Sequence, residues 1–281
     1  MSDSELSFVV LSIFAIVTLS AMLKWKLLAL PTEKVAPQGK LVLMSPLIGF
    51  LLFLGACAFV PGWIMKLIHY TDTHGISSFA KQEQEGFSLL LTLVTAAIML
   101  LGFSRLHPQE IRGRIWGQKK AFKAIFKGIG YCLLAYPIVM ALVQGIHLGL
   151  EWLGQKPYQE QVALSQLKAI RHFPWLFWTF VLAVVTLVPF VEELLFRGLL
   201  QNYLQGYLGP KCSIFFTSIL FALFHFSQSQ GSTNIELMVG LALYSVFIGI
   251  FYSKEQSLWT PLAMHATFNA ITLFFMFFVL P

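Results

Sequence analysis

Eight times along its length this chain runs apolar for long enough to cross, or nearly cross, a bilayer. The segments lie at about 6–23, 41–65, 87–104, 125–153, 174–200, 212–227, 236–253 and 259–280. A hydrocarbon core about 30 Å thick asks for roughly 20 apolar residues per helix. Inside it every backbone N–H and C=O must be satisfied within the segment, which leaves helices or closed barrels. Continuous apolar runs without alternation favour helices. The fold class predicted is therefore all-α: a polytopic membrane protein with about eight transmembrane helices in one bundle. With charged residues at only 11%, against roughly a quarter in soluble domains, no soluble domain of useful size is left over. The sixth and seventh runs are the shortest and also suit partly inserted helices.

The basic residues between the runs orient the chain. Lys24, Lys26, Lys34 and Lys40 follow the first run; Arg105, Arg112, Arg114, Lys119, Lys120, Lys123 and Lys127 surround the third-to-fourth connection. Positive-inside bias makes these loops cytoplasmic, and alternation puts Arg197, Lys211 and Lys254 on the same side, with both termini outside. The expected location is the cell (inner) membrane. The net charge of +6 is thus a topological signal, and no nucleic-acid partner is expected. The stretch from Glu110 to Gly128 also suits an amphipathic helix on anionic headgroups, with Trp116 and Phe122 dipping inward. Asp3 and Glu5 precede the first run where a signal peptide wants positive charge, so that run reads as a retained helix. Cys57, Cys132 and Cys212 have no metal or redox spacing and read as small hydrophobes.

Three polar groupings interrupt the last four runs. The first is "VTLVPFVEELLFRGLL", residues 185–200. Ionisable groups inside a membrane cost about 2.5–3.5 kcal/mol each on insertion scales, so three together need partners or a task. Glu193 and Arg197, four apart, share a helix face and can pair; Glu192 points about 100° away and stays available to take a proton from water. Pro189 marks a place where the helix can kink. The second is "FALFHF", with Phe221 and His225 on one face. The third is "TPLAMHATFNA", in which Thr260 caps a helix, Pro261 opens it, and His265 and Asn269 share a face. Two adjacent donors are what a developing oxyanion needs.

Taken in order, E-E-x-x-x-R, F-x-x-x-H and H-x-x-x-N on successive helices resemble the CPBP family, the membrane-embedded proteases that include type II CaaX prenyl endopeptidases and bacteriocin-processing enzymes. The resemblance covers about residues 174–280. It implies that Glu192 is the general base, that Glu193 and Arg197 support it, that His225 helps hold the water, and that His265 and Asn269 stabilise the oxyanion. The implied substrate is a membrane-associated or lipidated peptide, with membrane lipids as the surroundings. The family is described both as metal-dependent and as glutamate-based. Glu192, His225 and His265 are a donor set that zinc can use, but the chain has no H-E-x-x-H, and the His265–Asn269 pair serves an oxyanion better than a cation. No cofactor is favoured, with zinc as the alternative.

The chain therefore divides into an N-terminal four-helix membrane region, 1–173, and a CPBP-like helical core, 174–281. Two other classes draw on the same residues. A proton- or ion-coupled transporter would use the glutamates and histidines as a relay, although adjacent glutamates suit a path poorly. A scaffold or immunity-type protein would use them as interhelical glue. One geometric difficulty attends every reading. Counted from an outer start near Trp178, Glu192 lies about 21 Å down its helix, and His225 a similar distance up from the inner side. The first then falls below the midplane and the second above it. Tilt, a kink at Pro189, or inward folding of Ser227–Asn234 would bring them together.

Overall fold

The computed structural model describes residues 3–30, 40–74, 80–117, 121–155 and 167–279, all helix and connection with no strand among them. Lys34, Lys119, Lys120 and Lys156 lie outside the described residues. Seven helices are long and apolar enough to cross a membrane, and they form one bundle. One of them, Pro174–Leu223, folds back on itself, so its two arms bring the count to the expected eight.

The elements in order are α1 (Asp3–Lys24), α2 (Lys40–Thr73), α3 (Lys81–Arg105), the short α4 (Gln109–Trp116), α5 (Ala121–Trp152), α6 (Pro174–Glu193), a π-helix (Leu194–Gln201), α7 (Asn202–Leu223), α8 (Thr233–Glu255), α9 (Trp259–Phe274) and a terminal π-helical turn (Phe275–Val279). Helix α1 packs on α5, α5 on α8 and α9, α2 on α3, and α3 on α6. Helix α7 shows how the bundle is sorted. Phe215, Phe216, Ile219, Leu220 and Leu223 are exposed, while Ser213, Thr217, Ser218 and Phe221 are buried. Lipid is as apolar as leucine, so the small and polar residues are the ones that gain by facing protein.

The fold-back resolves the depth difficulty. Gly209 has φ 75° and ψ 174°, a region open essentially to glycine. Pro210 then starts the second arm where a missing N–H costs nothing. The first arm runs on well past Glu192 before this break. Glu192 and His225 thus stand almost symmetrically about Gly209, seventeen residues before it and sixteen after it, and reach the same level, about 25 Å from the break. Pro189 lies inside a continuous α6. The departure from α-geometry comes just after Glu193, as the π-helix.

Two local expectations change. The run Glu110–Gly128 does not form one surface helix. Helix α4 stops at Gly117 (φ 73°), its Ile115 is fully buried and accepts a hydrogen bond from the Leu258 N–H at 2.8 Å, and Trp116 stacks on Phe190. Of Trp116 and Phe122, only Phe122 is exposed. Nor does Thr260 cap α9, which begins at Trp259. Its hydroxyl instead donates to the Ala124 carbonyl at 3.2 Å, tying α9 to α5.

That tie rests on a close approach at Gly128, where a Cβ would stand 2.5 Å from the Thr260 carbonyl oxygen and 2.7 Å from the Ala263 Cβ. Gly130, two residues further on, has nothing within 4 Å. Gly128→Val is expected to destabilise the protein by about 1–3 kcal/mol through overpacking, lowering its melting temperature in detergent, whereas Gly130→Val changes it little.

Candidate active site

Four elements bring the polar groupings to one place. From α6 come Glu192 and Glu193, from the π-helix Arg197, from the residues just beyond α7 His225, and from α9 His265. The Glu192 carboxylate faces both histidines, with Oε1 3.6 Å from His225 Nε2 and Oε2 3.7 Å from His265 Nε2. Glu193 sits deeper. Its Oε1 accepts from Arg197 at 3.2 Å and from His265 Nδ1 at 2.7 Å. Asn269, a turn beyond His265, donates one of its two amide hydrogens to the Val184 carbonyl at 2.9 Å, which holds it against α6 eight residues before Glu192 rather than against the Glu192 carboxylate.

Exposure separates the two glutamates. The Glu193 and Arg197 side chains are fully buried, whereas Glu192 retains 14% and His225 28% of their surface. Of the two glutamates, only Glu192 has surface through which substrate can reach it. Both histidines have Nδ1 on an acceptor: His225 donates to the Phe221 carbonyl at 2.9 Å and His265 to Glu193. This fixes their tautomers and turns both Nε2 atoms toward Glu192. With Glu192 and Glu193 ionised and Arg197 charged, the cluster carries one net negative charge. A single proton shared among Glu192, His225 and His265 brings it to zero, and such a proton belongs to the group as a whole.

Arg197 holds the cluster together. One amino group donates to Glu193, the other to Ser245 Oγ at 2.6 Å and to the Ser245 carbonyl at 3.2 Å, and its plane lies over the Phe221 ring at 4.8 Å. Ser245 was not among the expected site residues. Its signal is the four-residue spacing of Ser245, Gly249 and Ser253 along α8, a small-residue face of the kind that lets membrane helices approach. The matching row Glu193, Arg197, Gln201 and Gln205 went unread beyond its first pair.

A cleft of about 450 Å³ opens beside Asn269 between α6 and α9, with Val181, Val185, Ala270 and Leu273 among its walls. As to metal, no group of three or more His, Cys, Asp or Glu among the described residues is disposed to hold an ion.

A membrane-embedded helical bundle with a buried acid–base cluster at the meeting of its last helices defines a narrow class. Residues 174–271 match the family model described as type II CAAX prenyl endopeptidase Rce1-like. That match is consistent with the CPBP resemblance of the three motifs. The match spans the hairpin, α8 and most of α9, including every residue of the cluster. No curated protein and no solved structure matches the chain.

Truncating Arg197 strands Glu193 as a buried, uncompensated charge, which typically costs about 3–5 kcal/mol. Arg197→Met is therefore expected to deplete the folded protein, while Glu193→Gln combined with Arg197→Met recovers much of the loss. A double-mutant cycle by thermal unfolding in detergent checks this.

Proposed function

We propose that the chain is an integral membrane endopeptidase in which Glu192 activates water against a peptide bond. The observation that carries this reading is the Glu192 carboxylate held between two histidine Nε2 atoms, each oriented by a fixed Nδ1 bond. A water held by Glu192 and His225 gives its proton to the carboxylate, and the hydroxide attacks the scissile carbonyl carbon. Charge develops on the carbonyl oxygen, where the second amide hydrogen of Asn269 and the Nε2–H of His265, when it carries the shared proton, stabilise it. Collapse of the intermediate breaks the C–N bond, and Glu192 returns the proton to the leaving amine. Glu193 and Arg197 act through His265 as positioning residues.

The substrate in this reading is a membrane-associated or lipidated peptide. The apolar cleft between α6 and α9 supports it, because Val185 and Ala270 are the chain neighbours of the Val184–Asn269 hydrogen bond, so apolar groups in the cleft lie beside the oxyanion donors. Residues 174–281 form the catalytic core, and the helices of 1–173 buttress it, α5 behind α9 and α3 behind α6. The basic connections lie on the cytoplasmic side of the cell membrane. The reaction is written without a cofactor, and zinc is the competing arrangement.

Glu192→Gln keeps the shape and removes the base, so cleavage of membrane-tethered peptides by the purified protein is expected to fall by about 10²–10⁴-fold with the melting temperature little changed. Chelator leaves the wild type active. Wild-type activity lost to chelator and restored by zinc transfers the role to a metal, and equal rates for wild type and Glu192→Gln refute Glu192 as the base. Asn269→Ala is expected to lower the turnover number by about 10²–10³-fold, the range for loss of one oxyanion donor, read as kcat at saturating peptide.

A further inference from the structure

Between the cluster and Gly209 the hairpin arms enclose polar side chains that the proposed reaction does not use. Gln201 is fully buried. Its amide nitrogen donates to the Gly249 carbonyl and to Ser253 Oγ, both at 3.0 Å, while its Oε1 has no hydrogen-bond partner in the protein. On the other arm Thr217 is 1% exposed, and its hydroxyl is likewise unpartnered. The hairpin sets the two at one level, since each stands eight residues from Gly209. Nearer the cluster, Arg197 Nε and Glu193 Oε2 are buried without partners as well. Three of these atoms, without partners among the described residues, thus lie in successive turns of the first arm, and the Thr217 hydroxyl stands level with the third on the second arm, making one stripe. Gln205 and Ser213, both buried, continue it toward Gly209 and the exposed Lys211.

A buried polar atom left without a partner is costly. Internal water is the usual remedy, typically bonding about three such groups at once. We propose that this stripe holds a file of internal water molecules linking Glu193 to the aqueous phase at the Gly209 end, and that the file delivers the water consumed at Glu192. The inference rests on the proposed peptidase reading for its purpose. Each peptide bond cut uses one water, whose hydroxyl goes to the acyl carbon and whose proton goes to the amine. The cleft between α6 and α9 has, Arg171 apart, apolar walls and offers water few partners on the way in. The stripe offers a donor or acceptor at every turn.

Thr217→Val is the sharpest probe, because it is nearly isosteric and removes a hydroxyl that bonds nothing in the protein. Gln201→Met, which keeps length and bulk, is the second. Hydroxyl radicals generated in place by X-ray radiolysis mark side chains beside bound water. In the full-length protein in detergent, Phe221 and Tyr252, which are 1% and 0% exposed, are expected to be labelled severalfold faster than Phe180, which is 5% exposed; all three belong to apolar clusters, so the proposed water beside the first two is what separates them. Both variants should cut that labelling severalfold and lower kcat for a tethered peptide severalfold at unchanged KM. Phe221 and Tyr252 as silent as Phe180, or labelled equally in wild type and variants, overturns the file. Reduced labelling with unchanged kcat overturns its role in supply, and a Thr217→Val protein that is more stable and equally fast marks the stripe as dry. A wild-type chain that cleaves nothing counts against the peptidase reading alone, since the labelling reports water in an inactive protein too.

Discussion

The buried pair Glu193–Arg197 is the interaction on which the rest of the site depends. Its guanidinium reaches Glu193 on the same arm of the hairpin, Phe221 on the other arm and Ser245 on α8, and Glu193 carries the connection on to His265 of α9. One cation therefore couples every element that supplies a cluster residue. Buried ion pairs are weak sources of net stability, because desolvation consumes much of the attraction. Their effect is on alternatives: any arrangement that separates the partners leaves a charge in lipid. The bundle is held in one register less by what the pair contributes than by what its loss would cost.

The same pair makes two adjacent glutamates unlike. Glu193 has its charge compensated and has no exposed surface, so it orients His265 and takes no part in exchange with substrate. Glu192, one residue away and about 100° round the helix, has no cation in contact and faces two imidazoles whose other nitrogens are already committed. Its two carboxylate oxygens each face one imidazole Nε2, at 3.6 and 3.7 Å, the short separations that a group passing a proton between water and an amine needs.

Legibility in the sequence followed the range of the interaction. Helical spans were readable because lipid imposes a local rule on each segment, and the Glu193–Arg197 pairing because it joins residues four apart. The break at Gly209 falls within the expected connection between the fifth and sixth runs, but a single Gly-Pro step between Leu208 and Lys211 gives no warning that the first arm runs on past Gln201, and the levels of Glu192 and His225 depend on that. Ser245 was missed because its partner is forty-eight positions away. Helix α4 was read as a surface helix because its amphipathicity is real; what its apolar face meets is Leu258 and Phe190, and nothing local to residues 109–116 says so.

The π-helix has a physical task in this arrangement. Residues four apart on an α-helix drift by about 40° per step, so a row of four such positions would turn from the protein interior toward lipid. A π-turn closes its hydrogen bonds one residue later and is wider, so a four-residue step there falls short of a full turn and the row swings back. Glu193, Arg197, Gln201 and Gln205 are all buried although they span more than three turns, and the segment between the first and third is the π-helix Leu194–Gln201. In an unbroken α-helix one end of that row would face acyl chains, where an amide or a carboxylate has no partner. The irregular turn keeps the polar row continuous from the acid–base cluster toward Gly209, the continuity that the proposed file of water requires.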